Sequence, residues 1–347
     1  MMRALQLVAP GVLAVVDVPI PHIGPDDVLL KVRGAGLCHS DIHVRHLPLE
    51  LFPLPLTLGH ETAGTVAAVG DRVSGWSIDD NALVHLIWAC GSCPACARGD
   101  DNVCEAAGRM AQPPTPGLGP AGGLAEYMAV PARHLVPLGD LDPVTAAPLA
   151  DAAMTPYHAV RNSMRVLRPG STAVVIGIGG LGHVAVQLLK ALTAVRVIAV
   201  DVSADRLEAA LTHGADLSVV ADDATAATIL GATSGRGADA VFDFVGAQPT
   251  TDLAVATIAP DGIYQLVGIG GGAPRIAAEP RLGEGWPYGA AVRTSYGGTK
   301  SDLVECVALA RAGRLTVDVE TFPLADGITA FDRLEAGTIS GRAVLVP

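Results

Sequence analysis

The segment CGSCPACARGDDNVC, residues 90–104, contains four of the six cysteines of the chain. Four thiolates spaced C-x2-C-x2-C-x7-C can surround one tetrahedral zinc ion, and the intervening glycines and proline suit the tight turns that this requires. This spacing favours a metal site over unrelated core cysteines. Cys90, Cys93, Cys96 and Cys104 are therefore predicted to form a closed structural zinc site in a lobe at residues 88–106. Four protein ligands leave no position for a substrate, so catalysis would need other residues.

A second group of potential metal ligands lies closer to the N-terminus. The segments GLCHSDIH, residues 36–43, and TLGHETAG, residues 57–64, supply one cysteine, three histidines and two acidic side chains. Spacing alone leaves two interpretations of Cys38 open. It is either a lone buried thiol or a ligand of a second metal ion.

A glycine-rich turn indicates a dinucleotide-binding site. In AVVIGIGGLGHVAVQLL, residues 173–189, Gly177, Gly179 and Gly182 fit G-x-G-x-x-G between an apolar run and a helical pattern. Backbone N–H groups in such a turn can approach a pyrophosphate. The next apolar run ends at Asp201, whose carboxylate can accept hydrogen bonds from the ribose hydroxyls and would repel a 2′-phosphate, so NAD is favoured over NADP. A turn without a ligand is the alternative. The predicted cofactor surface also includes Gly180, Leu181, Arg206, Val245, Val267 and Ile269.

Two kinds of structure must position these residues. Residues 1 to about 140 consist of short apolar or alternating runs broken by glycine and proline, which is typical of a β-rich domain. The chain begins with two alternating segments around Pro10-Gly11, which predicts a hairpin. After residue 170, apolar runs alternate with helical patterns, and this favours a doubly wound parallel sheet. The predicted fold class is therefore α/β.

Composition excludes several classes of protein. The 347 residues carry 23 basic and 35 acidic side chains, a net charge of −12, which is the wrong sign for a nucleic-acid-binding protein. We find no uninterrupted apolar run of about 18 residues, so no membrane association is predicted. The expected location is cytoplasmic, where cysteines are kept reduced and bind metals more readily than they form disulfides.

Taken in order along the chain, GLCHSDIH, GHETAGTV, the four-cysteine lobe and GIGGLG with Asp201 resemble the zinc-dependent alcohol dehydrogenases of the medium-chain dehydrogenase/reductase superfamily. The resemblance covers essentially the whole chain. The segments ARHLVPLGDLDP, PLADAAMTPYHA and GRAVLVP are most similar to bacterial NAD-dependent secondary-alcohol dehydrogenases. The resemblance implies a GroES-like catalytic domain at residues 1–150, a Rossmann domain at 151–288 and a return to the catalytic domain at 289–347. It also implies a homodimer or homotetramer.

The same resemblance assigns the second group of ligands. It implies that Cys38, His60 and Asp151 bind a catalytic zinc, so that each subunit would hold two zinc ions, one catalytic and one structural. Many relatives have cysteine at the position of Asp151, and a carboxylate there preserves the charge balance of the site. An ordinary helix cap is the alternative role for Asp151.

Four neighbouring residues also acquire roles from the resemblance. Glu61 would be able to approach the zinc, and Asp41 would orient His60, with a strand-edge charge and a helix cap as the respective alternatives. Ser40 would contact the substrate oxygen. His43 would relay a proton, or else be a solvated loop histidine. No chemical role is assigned to His158 and His183.

The expected reaction is hydride transfer between NAD(H) and a neutral, hydrophobic secondary alcohol or ketone, with primary alcohols and aldehydes also accepted. The predicted pocket lies between the domains, near Ser40, HLPLELFPLPL (46–56) and VRTSYGGTK (292–300), which are mostly apolar. Related enzymes often carry a bulky aromatic residue at the position of Gly297, so a wider pocket is expected. A polyol dehydrogenase, a zinc-free quinone or enoyl reductase, and a non-catalytic protein with this fold are the alternatives.

Overall fold

The computed structural model describes residues 1–46, 54–276 and 285–347. It divides into two compact units, one formed by Met1–Met154 with Gly297–Pro347 and the other by Thr155–Tyr296. These divisions lie a few residues beyond those expected at residues 150 and 288, and the functional domain boundaries stay a prediction. Residues 47–53 of the predicted pocket loop lie outside the described residues.

The N-terminal part of the first unit is β-rich, as predicted. Strands β1 (Met2–Ala9) and β2 (Val12–Val18) form an antiparallel hairpin, which confirms the turn expected at Pro10-Gly11. Further strands are β3 (Asp27–Gly36), β4 (Leu56–Thr57), β5 (Glu61–Val69), β6 (Asn81–Val84), β7 (Tyr127–Pro131) and β8 (Leu135–Pro137). The helices of this part are α1 (His39–His46), α2 (Pro94–Ala97) and α3 (Pro143–Ala146).

The second unit is built on a six-stranded parallel sheet of order β11-β10-β9-β12-β13-β14. Its strands are β9 (Thr172–Ile176), β10 (Arg196–Asp201), β11 (Leu217–Val220), β12 (Ala238–Asp243), β13 (Ile258–Leu266) and β14 (Ala291–Thr294). The helices are α4 (Met154–Arg161), which begins at the unit boundary, α5 (Gly182–Leu192), α6 (Ala204–Thr212), α7 (Thr225–Ala232) and α8 (Gln248–Thr257). The central strands are apolar along most of their length because both of their faces are buried. The predicted doubly wound sheet is confirmed.

The chain then returns to the first unit with α9 (Lys300–Arg311), β15 (Val319–Pro323), α10 (Gly327–Glu335) and β16 (Arg342–Val346). Strand β16 pairs antiparallel with β3, and the larger sheet of this unit has the order β15-β16-β3-β5-β6-β8, with β7 also paired to β3. The last strand is therefore a neighbour of the strand that leads to Cys38.

Among the helices of the described ranges, none has the length and apolar character needed to cross a membrane.

Candidate functional site

Three side chains from separate segments meet in the first unit. Cys38 follows the end of β3, His60 directly precedes β5, and Asp151 follows a short 3-10 helix at residues 147–150. All three are buried, with exposed fractions of 5%, 3% and 9%. One potential ligand atom from each lies within 4.8 Å of the others. The structure thus brings together the three residues expected to bind the catalytic zinc.

The spacing of these atoms fits a metal ion. The distance from Cys38 Sγ to Asp151 Oδ2 is 3.3 Å, and that from His60 Nε2 to Asp151 Oδ2 is 3.7 Å. Three ligands on a tetrahedral zinc with normal bond lengths would lie about 3.3–3.7 Å apart. Thiolate, imidazole and carboxylate are all common zinc ligands, so the donor set fits as well.

Asp41 connects two of the ligand segments. Its Oδ2 accepts a hydrogen bond of 2.9 Å from the backbone N–H of Cys38, and its Oδ1 lies 3.5 Å from His60 Nδ1. Asp41 Oδ1 and His60 Nδ1 are both buried, and neither has a hydrogen-bond partner among the described residues. The two atoms therefore form a carboxylate–imidazole contact with each other. Burial alone would lower the pKa of His60, but the charge of Asp41 and the close contacts with the carboxylates of Asp151 and Asp41 raise it well above its ordinary value. The carboxylates around His60 therefore favour a positive charge at the imidazole.

Arg342 is a component of the site that the sequence analysis missed. Its Nε donates to Glu61 Oε2 at 2.9 Å, a second nitrogen contacts Glu61 Oε1, and the same nitrogen donates to Asp151 Oδ2 at 3.2 Å. Arg342 and Glu61 are both buried, at 3% and 0% exposure. Burial raises the pKa of Glu61 to about 7, against the opposing charge of Arg342. An arginine at the start of an otherwise apolar strand was the available signal, because a buried guanidinium requires a buried anion.

The remaining predicted substrate-site residues differ in their surroundings. Ser40 is half-buried at the start of α1, with its Oγ 3.6 Å from Cys38 Sγ, whereas His43 on the same helix is exposed.

Gly297 has a φ of +49°, and an added Cβ would lie 3.1 Å from Ile87 Cδ1. Because side chains rarely adopt such a φ, backbone conformation is a sufficient reason for glycine at this position.

The four cysteines of the lobe also form one cluster. Distances between neighbouring Sγ atoms are 3.4 Å for Cys93–Cys96 and 3.9 Å for both Cys90–Cys96 and Cys93–Cys104. Four sulfurs on a tetrahedral zinc would be about 3.8 Å apart, so the cluster fits the ion. Hydrogen bonds from Ser92 and from the backbone N–H of Cys93 lower the pKa of Cys90 to about 6, which favours the thiolate.

The glycine-rich turn of the second unit has the expected conformation. Gly177 has a φ of +85°, and a Cβ on Gly182 would overlap the carbonyl oxygen of Gly177. Asp201 stands at the end of β10, where its carboxylate accepts hydrogen bonds from Ile178 N–H at 2.6 Å and Ser203 N–H at 2.9 Å. The acid is thereby fixed beside the turn.

Other predicted cofactor residues lie on the same unit. Val245, which follows β12, and Ile269, which follows β13, are exposed apolar side chains, at 39% and 60%. Val267, Gly180, Leu181 and Arg206 are all partly buried. None of these positions contradicts a cofactor surface, and their roles stay predictions.

Comparison with known proteins identifies the family. Residues 24–140 match the model described as alcohol dehydrogenase GroES-like domain, and residues 180–311 match the model described as zinc-binding dehydrogenase. A curated relative, the NAD-dependent alcohol dehydrogenase of Sulfurisphaera tokodaii, is 37% identical over 100% of both chains.

Two solved structures extend the comparison. The alcohol dehydrogenase of Aeropyrum pernix has a TM-score of 0.91 at 36% identity, covering 99% of this chain and 100% of that one. The acetophenone reductase of Geotrichum candidum, solved in complex with NAD, has a TM-score of 0.85 at 31% identity, covering 100% and 97% of the two chains. The chain therefore belongs to the zinc-dependent alcohol dehydrogenases of the medium-chain superfamily and is an oxidoreductase.

Proposed function

We propose that this protein transfers a hydride reversibly between NAD(H) and a neutral, hydrophobic alcohol or ketone, at a zinc held by Cys38, His60 and Asp151. The observation that carries the proposal is this buried cluster, whose ligand atoms lie within 4.8 Å of one another. A relative named as an NAD-dependent alcohol dehydrogenase and a solved acetophenone reductase with bound NAD support the reaction.

Each residue of the cluster has a physical task. The thiolate of Cys38 and the carboxylate of Asp151 supply two negative charges, which match those of a divalent cation beside a neutral imidazole. Asp41 accepts from Cys38 N–H and faces His60 Nδ1, so it would hold the imidazole with Nε2 free for the metal. A bound zinc would supply Lewis acidity toward the oxygen of the substrate.

Proton movement would depend on α1. The Ser40 hydroxyl, 3.6 Å from Cys38 Sγ, can both donate and accept a hydrogen bond, which suits contact with an oxygen that alternates between hydroxyl and carbonyl. His43 is exposed on the same helix and is our candidate for passing the proton released from the alcohol to solvent. The Glu61 carboxylate is bound by Arg342, so any approach of Glu61 to the metal would first have to break that ion pair.

The second unit would bind the cofactor. The glycine turn leaves the backbone accessible to a pyrophosphate, and Asp201 at the end of β10 would accept from the adenosine ribose and disfavour a 2′-phosphate. Bound NAD would supply the hydride acceptor. We expect a homodimer or homotetramer with two zinc ions per chain, to be checked by sedimentation and metal analysis.

The decisive experiment measures NADH oxidation with aldehydes, methyl ketones, bulky aryl ketones and sugars, before and after chelation, with NADPH as comparator. Ketone-dependent oxidation that is lost on chelation would support the proposal. Activity confined to sugars or polyols would favour a polyol dehydrogenase. No turnover despite bound NADH and zinc would refute the reaction and leave a non-catalytic protein. Activity unaffected by complete metal removal would instead point to a zinc-free reductase.

Two variants sharpen this experiment. Cys38→Ser should abolish turnover and reduce bound zinc by about one ion per chain. NADH binding should persist, because Cys38 belongs to the first unit and the glycine turn that would bind the cofactor belongs to the second. Gly297→Trp tests the width of the pocket, and an unchanged preference for small over bulky ketones would contradict the predicted widening. Because Gly297 has a positive φ, Gly297→Ala serves as the matched control for backbone strain.

A further inference from the structure

A buried carboxylate that the proposed mechanism does not use ends one of the central strands of the second unit. Asp243 is the last residue of β12 and is fully buried. Its Oδ1 accepts from Val245 N–H at 2.9 Å and from Gly246 N–H at 2.8 Å, and its Oδ2 accepts from the hydroxyl of Tyr264 at 3.0 Å. Tyr264, on β13, is also fully buried. Three donors thus fix the orientation of this side chain.

The turn held by Asp243 packs on the first glycine of the dinucleotide motif. A Cβ built on Gly177 would lie only 2.5 Å from Val245 Cγ2, so this valine side chain lies directly against the turn. Gly246 itself has a φ of +67°, a conformation that its hydrogen bond to Asp243 helps to maintain. Val245 is 39% exposed, which leaves an apolar surface beside Gly177.

A second glycine-rich segment, GIGGG at residues 268–272, is bound to the same turn. Gly270 N–H donates to Val245 O at 3.1 Å, and Gly272 N–H donates to Gly246 O at 2.7 Å. A Cβ on Gly268 would overlap the backbone of Val245, so only glycine permits this approach. The turn after β12 and the segment after β13 therefore form one connected surface, and Asp243 and Tyr264 lie beneath it.

We propose that Asp243 is a positioning residue for nicotinamide dinucleotide binding, and that Tyr264 holds its carboxylate in place. Asp243 would act through Val245, which lies beside Gly177, and through Gly246, which lies against Gly268, and the positions of both would determine the shape of the cofactor surface. This inference rests on the proposed function, because it assumes that the Gly177 turn binds the dinucleotide.

The test measures the Kd for NADH by fluorescence on the full-length protein, together with the melting temperature. Asp243→Asn keeps the size of the side chain but removes its charge, and should weaken NADH binding about tenfold, as expected for charge-assisted hydrogen bonds that become neutral. Tyr264→Phe removes only one hydroxyl and should weaken NADH binding about threefold. In steady-state kinetics both variants should raise KM for NADH more than they lower kcat.

Asp239→Asn is the matched control. Asp239 lies on the same strand near its other end, where its carboxylate accepts from Thr172 N–H at 2.8 Å and contacts Arg236. This variant should lower the melting temperature without changing the Kd for NADH.

The outcomes are separable. If Asp243→Asn and Tyr264→Phe fold and bind NADH within twofold of the wild type, the positioning role is refuted, whether or not the two variants lose stability as the control does. If Asp243→Asn does not fold, Tyr264→Phe decides the question alone. Failure of the wild type itself to bind NADH would refute the proposed function instead.

Discussion

Removing the positive charge of Arg342 would leave the carboxylate of Glu61 buried without its main partner. Arg342→Met preserves most of the volume of the side chain while it removes the hydrogen bonds to Glu61 and Asp151. Above about pH 7, the pKa of Glu61, breaking this buried ion pair by removing one partner costs about 3–5 kcal/mol, because the remaining carboxylate must either stay charged without compensation or take up a proton. Both side chains are at most 3% exposed, so water cannot replace the lost contacts without a rearrangement.

This cost translates into a measurable shift. The unit that contains Arg342 has roughly 200 residues, for which about 1 kcal/mol corresponds to 2–4 °C in melting temperature. We therefore expect the melting temperature of this unit to fall by about 6–20 °C, as measured by calorimetry on zinc-loaded protein with metal content recorded. Adding Glu61→Gln should recover at least half of the loss, because it removes the buried charge.

The matched control is Arg3→Met. Arg3 and Glu126 form a comparable pair at 3.1 Å, but their side chains are 47% and 30% exposed. Such a pair contributes about 0.2–1 kcal/mol, so the control should lose no more than about 4 °C. A fall of less than about 2 °C for Arg342→Met, or no recovery in the double variant, would refute the assignment of a charge-compensating pair.

Further variants test the turn, the lobe and the response to acid. Gly182→Ala should lower both stability and NADH affinity, because its Cβ would overlap the carbonyl of Gly177. Gly179→Ala, whose Cβ would have no atom within 4 Å, should keep its melting temperature and lose only NADH affinity. Equal melting temperatures for the two variants would contradict this prediction. Cys93→Ser should reduce bound zinc by about one ion per chain in atomic emission and lower the melting temperature, and an unchanged zinc content would rule out the structural site. Burial lowers the pKa of His85 to about 4 and that of His134 to about 3. The ordinary pKa of histidine is about 6.5, so below that pH the unfolded chain binds more protons than the folded chain. The contribution of these two histidines to the free energy of unfolding is therefore complete above about pH 6.5. It falls toward pH 4 by up to about 1.4 kcal/mol per pH unit for each histidine. His134→Phe should make melting temperature less dependent on pH in this range, and an unchanged pH profile would argue against the buried neutral form.

Local sequence patterns were sufficient for much of the fold. The run LSVV coincides with β11, and the glycine turn follows β9 as its motif requires. The apolar run AVFDFV, residues 240–245, does not mark the end of its strand, because β12 ends at Asp243, two residues before the run does. The Asp243 carboxylate binds the N–H groups of Val245 and Gly246 and turns the chain there. Apolar character alone does not reveal such a local hydrogen bond.

The candidate site was only partly predictable for a different reason. The cysteine spacing of the lobe is local, and Cys38, His60 and Asp151 were assigned through a resemblance carried by short motifs. Arg342 lies 281 positions from Glu61, and its contact depends on the pairing of β16 with β3. No local period encodes that register, so the segment GRAVLVP does not reveal the partner of its arginine.

The discontinuity of the first unit affects the order in which the protein can assemble. Cys38, His60, Asp151 and Glu61 all precede the inserted second unit, whereas Arg342 follows it. During synthesis the N-terminal segments emerge first, so the anionic pocket can form before its guanidinium exists. Bringing Arg342 back across such a separation must await closure of a very long loop. Until β16 pairs with β3, Glu61 and Asp151 therefore lack the guanidinium that contacts both of them in the folded chain.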